Sequence, residues 1–293
     1  MKVSGECLPC LVERGFRQIA LLTEDEKTRI EALKAMLKVL CEEFQEEASP
    51  ARLGALRDRA IKNFFHGRDP YAEVKRRSNQ LALKMLPEAE AFLAEAEGYE
   101  RFRRACLAAA AANALEFDVK GYDFSLESLR LPFPELSFKI DETLKAYEYL
   151  KGKSGEIVYL CDNAGEIVFD RLLASTLKNI GFKITLVVKG SPILNDATVE
   201  DVEASGIRPL VDEVETIGDS PGLLWDEAPE KVKAKVREAV LTVAKGMGNY
   251  EALTELEGRL GIQVLFLLKA KCPPVARSIN VKLGGLVALF RSL

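Results

Sequence analysis

A chain of 293 residues, 48% apolar and 29% charged, has the composition of a globular protein with a sizeable core, in one large or two ordinary domains. Its formal net charge is -4, with Lys and Arg spread beside acids, which argues against a nucleic-acid footprint. No apolar run approaches the ~20 residues that span a bilayer, and the N-terminus lacks a signal-peptide core, so a cytoplasmic protein without membrane contact is expected.

The first half reads as helices. Cys7-Leu8-Pro9-Cys10 opens it, a spacing that suits a metal or redox pair or two ordinary thiols. No second such pair follows, so a four-ligand zinc site would need donors gathered by the fold. Thr23-Glu24-Asp25-Glu26 reads as a capping box before a helix that places Ile30, Leu33, Leu37, Leu40 and Phe44 on one face. Ser49-Pro50 and Asp69-Pro70 are two further helix starts. Residues 101–115 form an alanine-rich helix with Asn113 and Glu116 near its end. Residues 121–134 read as loop, and 140–150 as one more helix. An α-helical domain over residues 1–150 is therefore expected. The single His, His66, falls in it, which disfavours a His-based metal centre.

Residues 151–293 alternate. Apolar runs at 157–160, 184–188, 240–243 and 264–267 read as strands, with a weaker candidate within 207–217 and a short final one at 285–290. Residues 167–180 carry apolar side chains at helical spacing. The expected fold class is α/β, a mostly parallel, Rossmann-like sheet flanked by helices, beside the all-α N-terminal domain. Such a sheet gathers the carboxyl ends of its strands on one edge, where ligands bind.

The residues at those ends carry chemistry. Asp162, Asn163 and Glu166 follow the first strand, Lys189, Asn195 and Asp196 the second. Lys245-Gly246-Met247-Gly248-Asn249-Tyr250-Glu251 follows another, and Lys271 the next. Asp162, Asn163 and Asp196 make an all-oxygen donor set, suited to Mg2+ or Mn2+. Either Asp162 or Asn163 could instead simply cap the next helix. Lys189, Lys245 and Lys271 can balance a phosphate, and Gly246 and Gly248 let backbone N–H groups approach it. Together these suit metal-assisted phosphoryl chemistry with a metal-activated water as nucleophile. No Walker loop and no Gly-x-Gly-x-x-Gly occurs.

In these motifs, and in Cys7-x-x-Cys10, Asp69-Pro70-Tyr71, Lys75, Ser78-Asn79 and Asn113, the chain resembles the metal-dependent damage-control phosphatases, first described as domain of unknown function 89. The likeness is to the branch found in archaea and some bacteria. It implies a divalent metal (Mn2+, Mg2+, Co2+ or Ni2+) held by Asp162, Asn163 and Asp196. It also implies substrate contacts from Gly246 to Glu251 and from Lys271, and a small phosphorylated metabolite as substrate. Glu116 stands where the resemblance leads one to expect Asp. Two other readings remain open at this point. One is an S-adenosylmethionine-dependent methyltransferase; the other is a non-catalytic metal- or nucleotide-binding protein. Cys7 and Cys10 are candidates for a second metal or a redox role near the cleft, since Cys161 and Cys272 adjoin site residues.

Overall fold

The computed structural model describes residues 1–113 and 132–293. Helices α1 (Cys7–Leu22), α2 (Glu26–Glu43) and α3 (Pro50–Phe64) pack around a small core of their own that includes Leu11, Ile19, Met36, Leu40, Leu53 and Ile61. Ser49 caps α3 as expected, accepting from the Arg52 N–H at 3.3 Å, with Pro50 at the first position. The cap of α2 is Asp25, accepting from Thr28 N–H at 2.8 Å, and not Thr23. Asp is the stronger N-cap of the two, and the box slips to it. The next helix, α4 (Ala72–Ala94), starts later than Asp69-Pro70, because the Asp69 carboxylate closes a turn onto Tyr71 N–H at 2.8 Å.

α5 (Gly98–Ala112) buries all five alanines from Ala108 to Ala112. The expected continuation of this helix to 115, the loop through 131 and Glu116 lie outside the described residues. The helix expected at 140–150 is α6 (Thr143–Leu150), preceded by a short strand, β1 (Phe138–Asp141). Asp141 accepts from Thr143 N–H at 3.1 Å and so ends the strand and starts the helix.

The remaining strands are β2 (Glu156–Leu160), β3 (Lys183–Lys189), β4 (Glu213–Ile217), β5 (Leu241–Lys245), β6 (Gln263–Lys269) and β7 (Leu286–Ser292). They form one seven-stranded sheet in the order β1-β7-β6-β5-β2-β3-β4. The five strands from β6 to β4 are mutually parallel; β7 runs antiparallel to β6, and β1 parallel to β7. Helices cover both faces, which is why the central strands are apolar at consecutive positions. Ile157, Tyr159, Ile184 and Leu186 face a layer built from α4, α5, α7 (Glu166–Ile180) and α8 (Val199–Ser205). Val158, Leu160 and Phe266 face a layer with α9 (Glu230–Glu238), α10 (Gly246–Leu253) and α11 (Pro273–Ile279).

Residue 150 is not where the cores divide. Ala82, Leu86, Ala105, Ala146 and Leu150 share one core with β2, β3 and α7. Among the described residues, the first three helices pack around a core of their own, apart from the cores on the two faces of the sheet. Among the described residues, no helix is long and apolar enough to cross a membrane.

From β2 the chain runs outward to β3 and β4, then returns to β5 on the other side of β2. The loops after β2 and β5 therefore part in opposite directions and leave a crevice at the carboxyl edge.

Candidate active site

Asp162 and Asn163 leave the end of β2 at that crevice. The segment after β3 folds back alongside them. Ala197 N–H donates to Asp162 O at 2.8 Å, Ala164 N–H donates to Asn195 O at 2.9 Å, and Asn163 and Asp196 form an antiparallel bridge. This backbone pairing sets the Asp162, Asn163 and Asp196 side chains together. None of the three side chains caps α7, although the Asn163 carbonyl accepts from Ile167 N–H at 3.3 Å. The N-cap of α7 is Gly165, at φ +80°, and the Gly165 N–H is taken by Asn79 Oδ1 of α4 at 2.7 Å. The amide that a Gly-rich methyltransferase loop would offer to a ligand is thus already engaged.

Asp162 Oδ2 accepts from Asn113 Nδ2 at 2.8 Å and from Asn163 Nδ2 at 3.0 Å. The same two amides reach Glu166 Oε1 at 2.7 and 2.6 Å. Asn113 Oδ1 accepts in turn from Lys269 N–H at 3.2 Å, so the end of α5 is tied to the end of β6 across the site. Asp196 is buried, and its Oδ2 has no hydrogen-bond partner; Lys189 Nζ stands 3.5 Å away and donates to Pro221 O at 3.3 Å. Beneath Glu166, the fully buried Lys245 ammonium lies 2.7 Å from Asp170 Oδ1 and 3.4 Å from Glu166 Oε2, and Tyr159 OH donates to Asp170 at 2.7 Å.

Burial, then the neighbouring Glu166 charge, pushes the Asp162 carboxyl up to about 6, against the pull of Lys271, Lys189 and Lys245. Burial likewise raises Asp196 well above the ordinary carboxylate range, with Lys189 opposing. It raises Glu251 to about 7. For Lys245 burial works against the charge, but Asp170 and Glu166 outweigh it and hold the ammonium protonated. Four carboxylates, Asp162, Glu166, Asp170 and Asp196, thus face three ammonium groups, Lys189, Lys245 and Lys271. A divalent cation that displaced the protons held by the raised Asp162 and Asp196 carboxyls would leave the site with one net positive charge, Arg14 offsetting Glu251, the sign a phosphate needs.

Gly246 closes the crevice from the β5 side. It sits at φ +75°, and an ideal Cβ on it would stand 1.9 Å from Asp162 Oδ2, so only glycine fits. Gly248 is equally tight against Pro221 O, at 2.3 Å from an ideal Cβ. The first-turn amides of α10 open onto this same edge. Met247 is half-buried, and its sulfur accepts from Lys271 N–H at 3.3 Å.

Not every expected contact residue faces the crevice. The Asn249 amide is engaged by backbone, donating to Lys245 O at 2.8 Å and Cys161 O at 3.3 Å and accepting from Leu223 N–H at 3.1 Å. Tyr250 packs edge-on to Phe266, and its hydroxyl lies 3.2 Å from Ser278 Oγ. Both brace the β5–α10 turn. Asn195 is buried and contributes the carbonyl that accepts from Ala164.

The N-terminal segment folds over this edge, with Glu6 paired to Arg277 of α11. Burial raises the Cys272 thiol to about 11, with the Glu251 carboxylate adding to it, and Cys7 and Cys10 lie nearby. Among the described residues, however, no group of three or more His, Cys, Asp or Glu side chains is placed to hold a metal ion. Two site residues escaped the sequence reading. Asp170 follows Glu166 by one helical turn, a legible spacing. Arg14 of α1, whose charge acts on Asp196 and Glu251, has no sequence signal at all, since only tertiary packing brings it there.

Comparison with known proteins covers nearly the whole chain. Residues 3–287 match the family model described as the damage-control phosphatase ARMT1-like domain. A damage-control phosphatase of Archaeoglobus fulgidus is 37% identical over 292 residues, spanning 98% of this chain and 99% of that protein. One of Pyrococcus horikoshii is 31% identical over 293 residues, spanning 99% and 98%. The crystal structure of a DUF89 family protein from Pyrococcus horikoshii superposes with a TM-score of 0.87 at 31% identity, over 99% of each chain. Whole-length matches of sequence and of structure show that the chain belongs to the damage-control phosphatase (ARMT1-like, DUF89) family.

Proposed function

We propose that the protein is a metal-dependent phosphatase that hydrolyses a small phosphorylated metabolite, with Asp162, Asn163 and Asp196 as metal-holding residues. The observation that carries this reading is the buried Oδ2 of Asp196, which accepts no hydrogen bond and has only the Lys189 ammonium, 3.5 Å away, as counter-charge, set by backbone pairing beside Asp162 and Asn163. A buried carboxylate oxygen that accepts no hydrogen bond is costly, and a metal cation coordinated there would satisfy it more fully than the distant ammonium does. The donors are all oxygen, which fits Mg2+ or Mn2+, with Co2+ and Ni2+ as further candidates. A bound divalent cation supplies Lewis acidity toward the phosphoryl oxygens and activates a water as the nucleophile.

The protein's own residues do the rest. Asn113 and Asn163 donate to both Asp162 and Glu166 and hold the two carboxylates in one orientation. Lys245, sealed from solvent, offsets Glu166 and Asp170 from below and does not reach the substrate. Lys271 is only half-buried and acts on Asp162 from above, so it is the ammonium that meets the phosphate. The first-turn amides of α10, beside Gly246, give backbone donors for the same group. The test is phosphate release from a panel of phosphometabolites with and without added Mn2+, Co2+, Ni2+ and Mg2+. Release that needs a divalent metal is expected. Release that is indifferent to chelation would remove the metal from the reading.

A further inference from the structure

The turn after β4 is Asp219-Ser220-Pro221-Gly222. It closes on itself, since Gly222 O accepts from Ser220 Oγ at 2.6 Å and from Leu224 N–H at 2.9 Å. Its outer side is backed by α3. Asp219 accepts from Arg59 Nε at 2.8 Å and from Lys62 Nζ at 3.4 Å, and an ideal Cβ on Gly54 would stand 3.5 Å from Pro221 Cγ, an ordinary contact. Its inner side meets two parts of the site. Pro221 O accepts from the buried Lys189 ammonium at 3.3 Å, the same ammonium that faces Asp196 Oδ2. Gly222 lies against the first turn of α10.

That second approach is backbone on backbone. An ideal Cβ on Gly222 would stand 2.1 Å from Gly248 O and 2.9 Å from Asn249 N, and one on Gly248 would stand 2.3 Å from Pro221 O. None of these neighbours is the end of a side chain that could swing aside, so a methyl group at 222 has to move peptide groups. Gly222 has no left-handed φ, and contact alone requires glycine there. Asn249 fixes the alignment. Its Oδ1 accepts from Leu223 N–H at 3.1 Å, while its Nδ2 donates to Lys245 O at the end of β5 and to Cys161 O beyond β2. The turn after β4 thereby sets how near the first turn of α10 stands to Asp162. The Asp162 carboxylate itself is bonded by Asn113 and Asn163, not by α10 or the turn. The metal-holding residues and α10 thus have separate supports.

We propose that Pro221 and Gly222 are positioning residues for the phosphoryl group: the Pro221 carbonyl holds the Lys189 ammonium, and the bare Gly222 backbone sets the place of the first turn of α10. The inference rests on the phosphatase reading. It gives the turn after β4 a part in phosphate binding that is separable from metal binding.

The experiment measures Mn2+ affinity, the affinity of the Mn2+-loaded protein for inorganic phosphate, and kcat/KM on the best substrate of the panel. It compares wild type, Gly222→Ala, Pro221→Gly and Gly218→Ala. Gly218 just precedes the turn, has no left-handed φ and has nothing within 4 Å of an ideal Cβ, so Gly218→Ala should match wild type within about twofold throughout. Gly222→Ala should weaken phosphate binding and lower kcat/KM about 10- to 100-fold, the cost of displacing a preorganised donor by about 1 Å, and keep Mn2+ affinity within about threefold. Pro221→Gly keeps the carbonyl but loosens the turn, and should lose about three- to tenfold in phosphate affinity with Mn2+ affinity kept. It decides the matter if Gly222→Ala does not fold. Phosphate binding unchanged in Gly222→Ala, or in Pro221→Gly where that variant decides, would overturn the inference. So would equal losses of Mn2+ and phosphate affinity, which mark a structural role only, or a loss in Gly218→Ala as large as in Gly222→Ala. A wild type that releases phosphate from no substrate refutes the phosphatase reading, and phosphate binding then decides alone. Phosphate bound by the wild type and lost in Gly222→Ala keeps the turn as a positioning element; a wild type that binds no phosphate ends the inference.

Discussion

At the scale of single residues, the two lysines of the site do different work despite their similar place in the sequence. Lys245 ends β5 fully buried, paired to Asp170 and Glu166; Lys271 stands half-buried beyond β6. Lys271→Ala is expected to lower kcat/KM by about 10²–10³, the typical cost of one lost donor in a desolvated site. Its Tm should stay within about 2 °C of wild type. Lys245→Met leaves two buried carboxylates without their counter-charge and should cost about 3–5 kcal/mol of stability in a denaturant titration. Equal effects of the two substitutions on stability would contradict this division. The sequence announces both lysines, since each follows an apolar run that ends abruptly in polar residues. It does not say which is buried, because that depends on Asp170 of a helix more than 70 residues away in the chain.

At the scale of elements, α7 starts without a side-chain cap of its own, and Asn79 of α4 supplies the missing acceptor. Asn79 Nδ2 also donates to Asp201 Oδ1 at 2.8 Å, and the Asp201 carboxylate is 3.1 Å from the buried Lys75 ammonium. α4 thereby clamps both the start of α7 and the turn that follows Asp196. Asn79→Ala should lose about 1 kcal/mol, the usual worth of a helix cap, and lower activity as well, because Glu166 opens that helix. Unchanged thermal stability would argue that the cap is redundant. β4, whose run is broken by Glu213 and Glu215, is only a weaker candidate, whereas five other strands are legible as apolar runs, four of them parallel and buried on both faces. β1 is not: its four residues, Phe138-Lys139-Ile140-Asp141, alternate too briefly to stand out from the helix behind them. The helix starts are legible as Ser, Asp and Pro, but their positions shift where a neighbouring carboxylate forms a local turn.

At the scale of the whole molecule, composition predicts a boundary near residue 150, because helices precede it and alternation follows. The packing overrides composition. The alanine face of α5 lies so close to α7 that the second group of helices joins the sheet's core. The same burial governs how stability responds to pH. Asp162 and Glu251 titrate at about 6 and about 7 when folded, above their ordinary values, so the folded state holds protons that the unfolded chain has released. Their contribution is complete below about pH 4 and is lost as pH rises through 6 to 7. The metal-free protein should therefore melt at lower temperature at pH 8 than at pH 5, and added Mn2+ should flatten the slope. A melting temperature that rises across that range without metal would contradict the assignment.

The central claim is that Asp162, Asn163 and Asp196 hold the divalent metal on which phosphate release depends. The most direct measurement pairs metal content with phosphate release in wild type and Asp162→Ala after chelation and reloading with Mn2+. The expected result is a wild type that loses activity on chelation and regains it with about one bound metal per chain, and an Asp162→Ala protein that folds normally, binds no metal and releases no phosphate. An Asp162→Ala protein that retains both its metal and its metal-dependent release would contradict the claim.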